Sequence, residues 1–367
     1  MCRSLLANSI HHRSHMSRLS RSMQLVVSSP YSLQRLGDAA HLNYLAQITF
    51  GLDASPKNVQ EVRQHIRAQL LASTTPHYSE TWSSEQLVRI LGETGMRLSC
   101  TDDLLFGVID VPETDQAKCS THTLEQVSQR AYSQLFDALE KYKYPYLWRA
   151  WNYVPNITGV ENGVERYQQF NAGRQMGFSL AERGVTGNVP AACALGVKAG
   201  PLSVAFLAGR RPTVAIENPR QISAYNYPAQ YGLRSPTFSR ASLAYLHQQE
   251  LLFISGTASI VGHETLHVGD VHGQTLETLR NLQAVIDQAN LRSKGRSPYS
   301  LQELNMRVYV RHERDAALIQ DLMHQHLRSF VNAIYIHADI CRENLDVEIE
   351  GVAWQSLSIE PDDLSKP

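Results

Sequence analysis

Residues 251–290 read L-L-F-I-S-G-T-A-S-I-V-G-H-E-T-L-H-V-G-D-V-H-G-Q-T-L-E-T-L-R-N-L-Q-A-V-I-D-Q-A-N. The stretch opens on an apolar run at 251–255, short enough for a buried strand. A glycine-punctuated loop follows. Leu276, Leu279, Leu282 and Ile286 then recur at three- and four-residue spacing, which places them on one face of a helix over 274–290. Downstream, the pattern predicts a strand at 306–310, a helix at 314–330 and strands at 332–340 and 345–354. That order makes one sheet with both helices on one face, an α+β layer pair.

Upstream the same signals return. Leu124, Val127, Ala131, Leu135 and Leu139 mark a helix over 122–143. An aromatic strand follows at 146–153, Y-L-W-R-A-W-N-Y, ending before Pro155. A helix over 163–176 and strands at 190–197 and 202–208 come next, the last two separated by the turn residues K-A-G-P. With strand candidates at 46–50 and 104–111, the N-terminal half reads as a second sheet-plus-helix layer beside the first. Pro219, Pro228, Gly232 and Pro236 make 218–241 a loop. The expected division is an N-terminal α+β domain over 38–215 and a C-terminal one over 216–357.

Residues 1–37 stand apart, because they carry Arg3, Arg13, Arg18, Arg21 and Arg35 and no acidic residue. The composition resembles a transit peptide, with a disordered tail or a later start at Met16 or Met23 as alternatives. His11, His12 and His15 could hold a metal, although a tail without partner ligands rarely does.

Composition bounds the function. Across 367 residues, 34 Lys and Arg balance 35 Asp and Glu, a formal net charge of −1. General nucleic-acid binding wants a clearly basic face and is disfavoured. No run approaches the ~18 apolar residues of a membrane helix. The five cysteines, Cys2, Cys100, Cys119, Cys193 and Cys341, are scattered and form no C-x-x-C pair. Neither a disulfide framework nor a zinc ribbon fits, and the expectation is a reduced, cytoplasmic, globular protein.

Three patterns carry chemistry. His263-Glu264-Thr265-Leu266-His267 spells H-E-x-x-H, which binds zinc when it lies on a helix. Here Gly262, Gly269, Asp270 and Gly273 crowd it and argue against that helix, so a zinc hydrolase is disfavoured. The 220–240 stretch sets Arg220, Arg234 and Arg240 among Tyr225, Tyr227, Tyr231 and Phe238. Arginine forks match carboxylates and tyrosines supply flat walls, which suits a compact ring-containing anion. A packed loop with solvated arginines fits equally well. Finally, alternation along 345–354 puts Asp346, Glu348 and Glu350 on one face and Val347, Ile349 and Gly351 on the other. Lining a pocket, such carboxyls would rise in pKa towards general-acid range; exposed, they would be an acidic surface.

The segments L-W-R-A-W-N-Y-V-P-N-I (147–157), E-R-Y-Q-Q-F-N-A-G-R (165–174) and Y-P-A-Q-Y-G-L-R-S-P-T-F-S-R-A (227–241) resemble the chorismatase family. So do I-S-G-T-A-S-I-V-G-H-E-T (254–265) and V-E-I-E-G-V-A (347–353), and the resemblance runs from about residue 145 to 354. It implies cleavage of chorismate with release of pyruvate, without metal or organic cofactor. It also implies a fold similar to the reactive-intermediate deaminases, with their subunit layers merged in one chain. The sequence leaves the oligomeric state open, with a monomer favoured. Glu348 matches the family's proton-delivering glutamate. Tyr225, Arg234 and Arg240 match its pocket loop, and Arg149 and Arg174 are further candidates for substrate contact. Cys341 and Ala258 match positions that resemble the aromatising branch, which forms both 3- and 4-hydroxybenzoate for pigment and ubiquinone synthesis. A hydrolytic product, a dihydroxy-cyclohexadiene carboxylate, is the alternative outcome. An aromatic-acid binding protein without catalysis is a third reading.

Overall fold

A computed structural model describes residues 25–28, 42–53, 62–73, 75–115, 120–328 and 332–358. The histidine cluster and the alternative start sites lie outside the described residues. Within the N-terminal segment, Leu25–Ser28 is a strand paired with Tyr78–Ser84.

Two large sheets organise the chain. The first has the order Ala191–Val197, Tyr146–Pro155, Leu202–Gly209, Leu104–Val111, Met96–Cys100, Arg89–Glu93. Helices α1 (Leu124–Tyr142) and α2 (Arg166–Leu180) cover one face of it. The second has the order Val214–Ile216, Ala241–Tyr245, Gln249–Ala258, Val347–Ser356, Asn305–Val310, Ala333–His337, with Leu70–Leu71 at its edge. Helices α3 (Val271–Asn290) and α4 (Ala316–Leu327) cover one face of that sheet. The α+β class and the two sheet-plus-helix layers are therefore present as expected.

The two layers share one topology. In each, a strand, a helix, a strand, a second helix and a parallel strand are followed by a final strand that inserts at the centre of the sheet. Leu202–Gly209 and Val347–Ser356 are these central strands, each antiparallel to both neighbours.

Local chemistry sets the elements. Thr123 and Gln126 form a capping box that starts α1, and Lys143 ends it in a left-handed conformation at φ 63°. Asp270 caps α3 by accepting from Gly273 N at 3.0 Å. On α3, Leu279, Leu282, Val285, Ile286 and Ala289 enter the core, while Leu276 is only half buried beside the buried Thr275 and Thr278. Predicted boundaries shift elsewhere. The 163–176 helix starts at Arg166 after a short hairpin, Val160–Glu161 with Val164–Glu165, and runs on to Leu180. The 332–340 strand stops at His337, where the chain leaves the sheet to form a loop.

The helix-free faces of both sheets, together with a four-stranded sheet of Leu25–Ser28, Tyr78–Ser84, Asn43–Phe50 and Arg63–Ile66, enclose a central core. Of that small sheet, the sequence pattern predicts one strand, at 46–50. Trp82 lies 5.4 Å from Trp151 and 6.2 Å from Phe253, ring centre to ring centre, and so ties the three sheets together. Each such buried ring contributes about 1.5–3 kcal/mol of transfer free energy.

Candidate active site

Glu348 and Glu350 point from the central strand of the second sheet into the space between the layers. Both are buried. Their alternation from Val347 and Ile349, which pack under α3 and α4, follows the period of two expected for a strand. Asp346, expected on the same face, precedes the strand; its carboxylate accepts from Gln274 Nε2 at 2.9 Å on α3.

The two glutamates have opposite surroundings. Glu350 is paired with Arg149, accepts from Arg307 Nη1 at 2.8 Å and accepts from Tyr309 Oη at 2.8 Å. Burial pushes its carboxyl up, but Arg149 and Arg307 more than offset this and hold it below the ordinary range. Arg307 in turn grips Glu80 through two bonds of 3.0 and 2.7 Å. Glu348 has no hydrogen bond or ion pair among the described residues. Burial, reinforced by the charge of Glu350, pushes its carboxyl up to about 8. It therefore carries a proton at neutral pH.

A cavity opens over Glu348. Its walls come from both halves of the chain. Arg240 contributes a buried guanidinium that donates through Nη2 to Ile222 O and Tyr227 Oη, each at 2.8 Å. The Nε of Arg240 is buried without a hydrogen-bond partner among the described residues. Arg342 lies 4.0 Å from the ring centre of Tyr231 and 5.3 Å from that of Tyr227. It is anchored by donation from Nη1 to His263 O at 2.9 Å. Cys341 and Ala258 line the cavity beside Glu348. The Cys341 thiol is pushed up to about 12 by burial and by the neighbouring Glu348 carboxyl, so it stays neutral. From the N-terminal half, Glu165 and Tyr167 at the start of α2 complete the rim. Burial raises both.

The loops bearing these groups are stitched to the first sheet. Ser239, next to Arg240, bonds Pro190 O through its amide at 3.0 Å and Val189 O through its hydroxyl at 2.9 Å. Asp339 O accepts from Gly196 N at 2.7 Å. Arg311 holds the 339–345 loop through Asp339, Ile340 O, Arg342 O and Leu345 O, at 2.7 to 3.0 Å. Gly256, at a register shift in its strand, also faces the cavity; a Cβ there would overlap the Glu348 carboxylate.

Of the eight residues that the family resemblance marks for the site, four converge, Glu348, Cys341, Arg240 and Ala258, and Tyr227, Tyr231 and Phe238 of the 220–240 stretch join them. The other four are not among the residues that line the cavity. Arg149 is buried against Glu350, and Arg174 lies between the two N-terminal helices, bonded to Asn171 Oδ1 at 2.8 Å and set over Phe170. Tyr225 sits in a 3-10 turn, two residues before the lining residue Tyr227, and Arg234 is exposed. The H-E-x-x-H stretch forms no helix. Glu264–Thr265 is a strand of a small hairpin and His267 has φ 57°, so the two histidines do not share a helical face. Arg342, Tyr167, Glu165 and Gly256 also line the cavity, and no pattern in the sequence marks them.

Comparison with known proteins yields the same family from three directions. Residues 80–208 match the family described as "Chorismatase FkbO/Hyg5-like, N-terminal". A chorismatase of Streptomyces rapamycinicus is 36% identical over 282 residues, 75% of this chain and 82% of the relative. A 3-hydroxybenzoate synthase of Streptomyces hygroscopicus is 32% identical over 297 residues, 78% of this chain and 84% of the relative. A crystal structure of a chorismatase superposes with a TM-score of 0.78 at 29% identity, covering 90% of this chain and 98% of that one. No helix among the described residues is long and apolar enough to cross a membrane.

Proposed function

The chain belongs to the chorismatase family, and from that premise we propose that it converts chorismate to hydroxybenzoate and pyruvate, with Glu348 as the acid. The observation that carries the reading is the buried Glu348 carboxyl, pushed up to about 8, free of hydrogen bonds and open to a cavity with two arginines on its walls. Arg240 and Arg342 supply planar donors for the substrate's two carboxylates, and Tyr227, Tyr231 and Phe238 supply flat faces for its ring.

In this reading Glu348 gives its proton to the methylene carbon of the enolpyruvyl ether. The ether carbon becomes an oxocarbenium centre, and the bond between the ether oxygen and the ring carbon breaks. Pyruvate leaves with that oxygen as its keto oxygen. The ring cation keeps the neighbouring ring hydroxyl, and loss of the proton on that hydroxyl's carbon gives 4-hydroxybenzoate. Closure of the hydroxyl onto the cationic carbon, with loss of its own proton, instead gives an arene oxide that reopens at the other carbon and aromatises to 3-hydroxybenzoate. Atoms balance without added water on both routes. The neutral Cys341 thiol and Ala258 shape the floor against the ring, and we assign to them the aromatic outcome, with both 3- and 4-hydroxybenzoate as products for pigment and ubiquinone synthesis. If water instead added to the oxocarbenium carbon, the hemiketal would collapse to pyruvate and a dihydroxy-cyclohexadiene acid.

Incubating purified protein with chorismate and separating the products tests this directly. Pyruvate equimolar with chorismate consumed, together with hydroxybenzoate, is expected. Binding without pyruvate release would leave an aromatic-acid binding protein, and a diene acid would assign the hydrolytic outcome.

A further inference from the structure

Glu350 is a costly thing to bury, and the reading above gives it no direct part. It lies two residues from Glu348 on the same strand face, with its side chain 3% exposed. It is clamped by Arg149, Arg307 and Tyr309, and Arg307 is itself clamped by Glu80. Tyr309 Oη also lies 2.8 Å from Tyr153 Oη, so the clamp reaches both large sheets. A buried carboxylate with three charge-assisted or hydroxyl partners is fixed in place and in charge. Its neighbour, with no such partner, feels that fixed charge through a low-dielectric interior.

We propose that Glu350 is a positioning residue that acts through Glu348: the clamped carboxylate keeps the neighbouring carboxyl in its proton-carrying form. The inference rests on the assignment of Glu348 as the acid. The other groups facing Glu348 are Arg149 from the first sheet, Arg240 ahead of Ala241–Tyr245, Arg311 after Asn305–Val310, Cys341 in the adjoining loop, Cys193, Tyr167 and Tyr309, with Arg342 and Glu165 across the cavity. Arg149, Arg240 and Arg311 favour the ionised form of Glu348 and Glu350 opposes it, with Glu350 the largest of these charges in effect. Removing Glu350 and removing Arg149 should therefore move Glu348 in opposite directions.

The test is the pH profile of pyruvate release from chorismate. Activity requires protonated Glu348, so it falls on an alkaline limb. In Glu350→Gln that limb should move towards acid by about one pH unit or more. In Arg149→Met it should move towards alkali. Damage to the fold alone would lower the plateau and leave the limb where it was, and limbs at the wild-type position in both variants would overturn the proposal. If Glu350→Gln does not fold, the charge-balanced Arg149→Met/Glu350→Gln variant replaces it; its limb should still move towards acid, and a wild-type limb overturns the proposal. The infrared band of a protonated carboxyl, assigned to Glu348 by its loss in Glu348→Gln, can be titrated without substrate. It should show the same order of midpoints, so a protein that does not turn over chorismate would still decide whether Glu350 controls Glu348.

Discussion

Leu202–Gly209 in the N-terminal half and Val347–Ser356 in the C-terminal half occupy the same place, the last strand inserted at the centre of a sheet. On their inward faces, Ser203, Ala205 and Leu207 stand opposite the roles of Glu348, Glu350 and Val352. The neighbouring strands even carry matched tyrosines, Tyr153 and Tyr309, whose hydroxyls meet at 2.8 Å. Yet the central strand of one half carries an acid over a cavity, and the equivalent position of the other carries Ser203. Ser203 accepts from Gln64 Nε2 at 3.1 Å, and Gln64 belongs to the small four-stranded sheet that covers this face. A topology that offers two equivalent positions has been closed at one by packing and opened at the other by burying charge. The fold supplies the position, and the side chains decide whether it holds chemistry.

The sharpest way to break this comparison is to remove the acid. Glu348→Gln keeps shape and burial but cannot deliver a proton, and turnover should fall by about 10²–10⁴-fold with the fold intact. Retained activity would shift the acid to another group of the cavity. The next largest effect is expected at Gly256. In Gly256→Ala the new methyl overlaps the Glu348 carboxylate, so the acid must move. A displacement of that order should cost about 10²-fold in kcat with little change in KM. Arg342→Met comes third. It leaves Tyr231 without its cation and Tyr227 with Arg240 alone, and it removes a donor for a substrate carboxylate, so kcat/KM should fall by about 10–100-fold, mostly through KM.

Much of this arrangement is legible in the sequence. The alternation around Glu348 and Glu350 identifies a shared face, because a strand's period of two survives whatever packs on it. The periodic leucines of α1 and α3 reveal the layers for the same reason. What periodicity cannot report is which charges meet across elements. Arg149 and Arg307 reach Glu350 from separate strands, at sequence separations of 201 and 43. Arg149 and Arg174 look like anion ligands as residue types, and only three-dimensional contacts commit them elsewhere. Arg342 shows the converse. It adjoins Cys341 in the chain, but its two tyrosine platforms lie in a loop more than a hundred residues upstream. The small four-stranded sheet escapes because its polar, interrupted strands, such as R-Q-H-I at 63–66, lack a clear apolar pattern.

A smaller effect concerns stability and pH, and it separates the two glutamates. An unfolded glutamate releases its proton near 4.5, whereas native Glu348 holds it to about 8. Between these values the native state binds more protons, so the contribution of Glu348 to stability is complete below pH 4.5 and is lost as pH rises through 8. Glu350 has the opposite sign. Its carboxyl is held low, so its contribution is present above 4.5 and is lost on acidification. Thermal melts from pH 5 to 9 should show Glu348→Gln gaining on the wild type as pH rises. Parallel melting curves across that range would show that Glu348 is not held protonated in the fold.

The smallest expected effect is at the closed position. Ser203→Ala removes the hydroxyl that receives Gln64 Nε2, while Gln64 keeps its longer bond to Trp151 O at 3.4 Å. The loss should be about 1 kcal/mol of stability, the usual net worth of a neutral hydrogen bond. Turnover should not change, because Ser203 lies on the covered face and not among the residues of the cavity. The pair of measurements, chemical denaturation and pyruvate release, separates two ways in which the halves could be related. If turnover falls with stability unchanged, the N-terminal position takes part in catalysis. If stability falls alone, the small sheet has converted a potential site into core, as its packing against both large sheets implies.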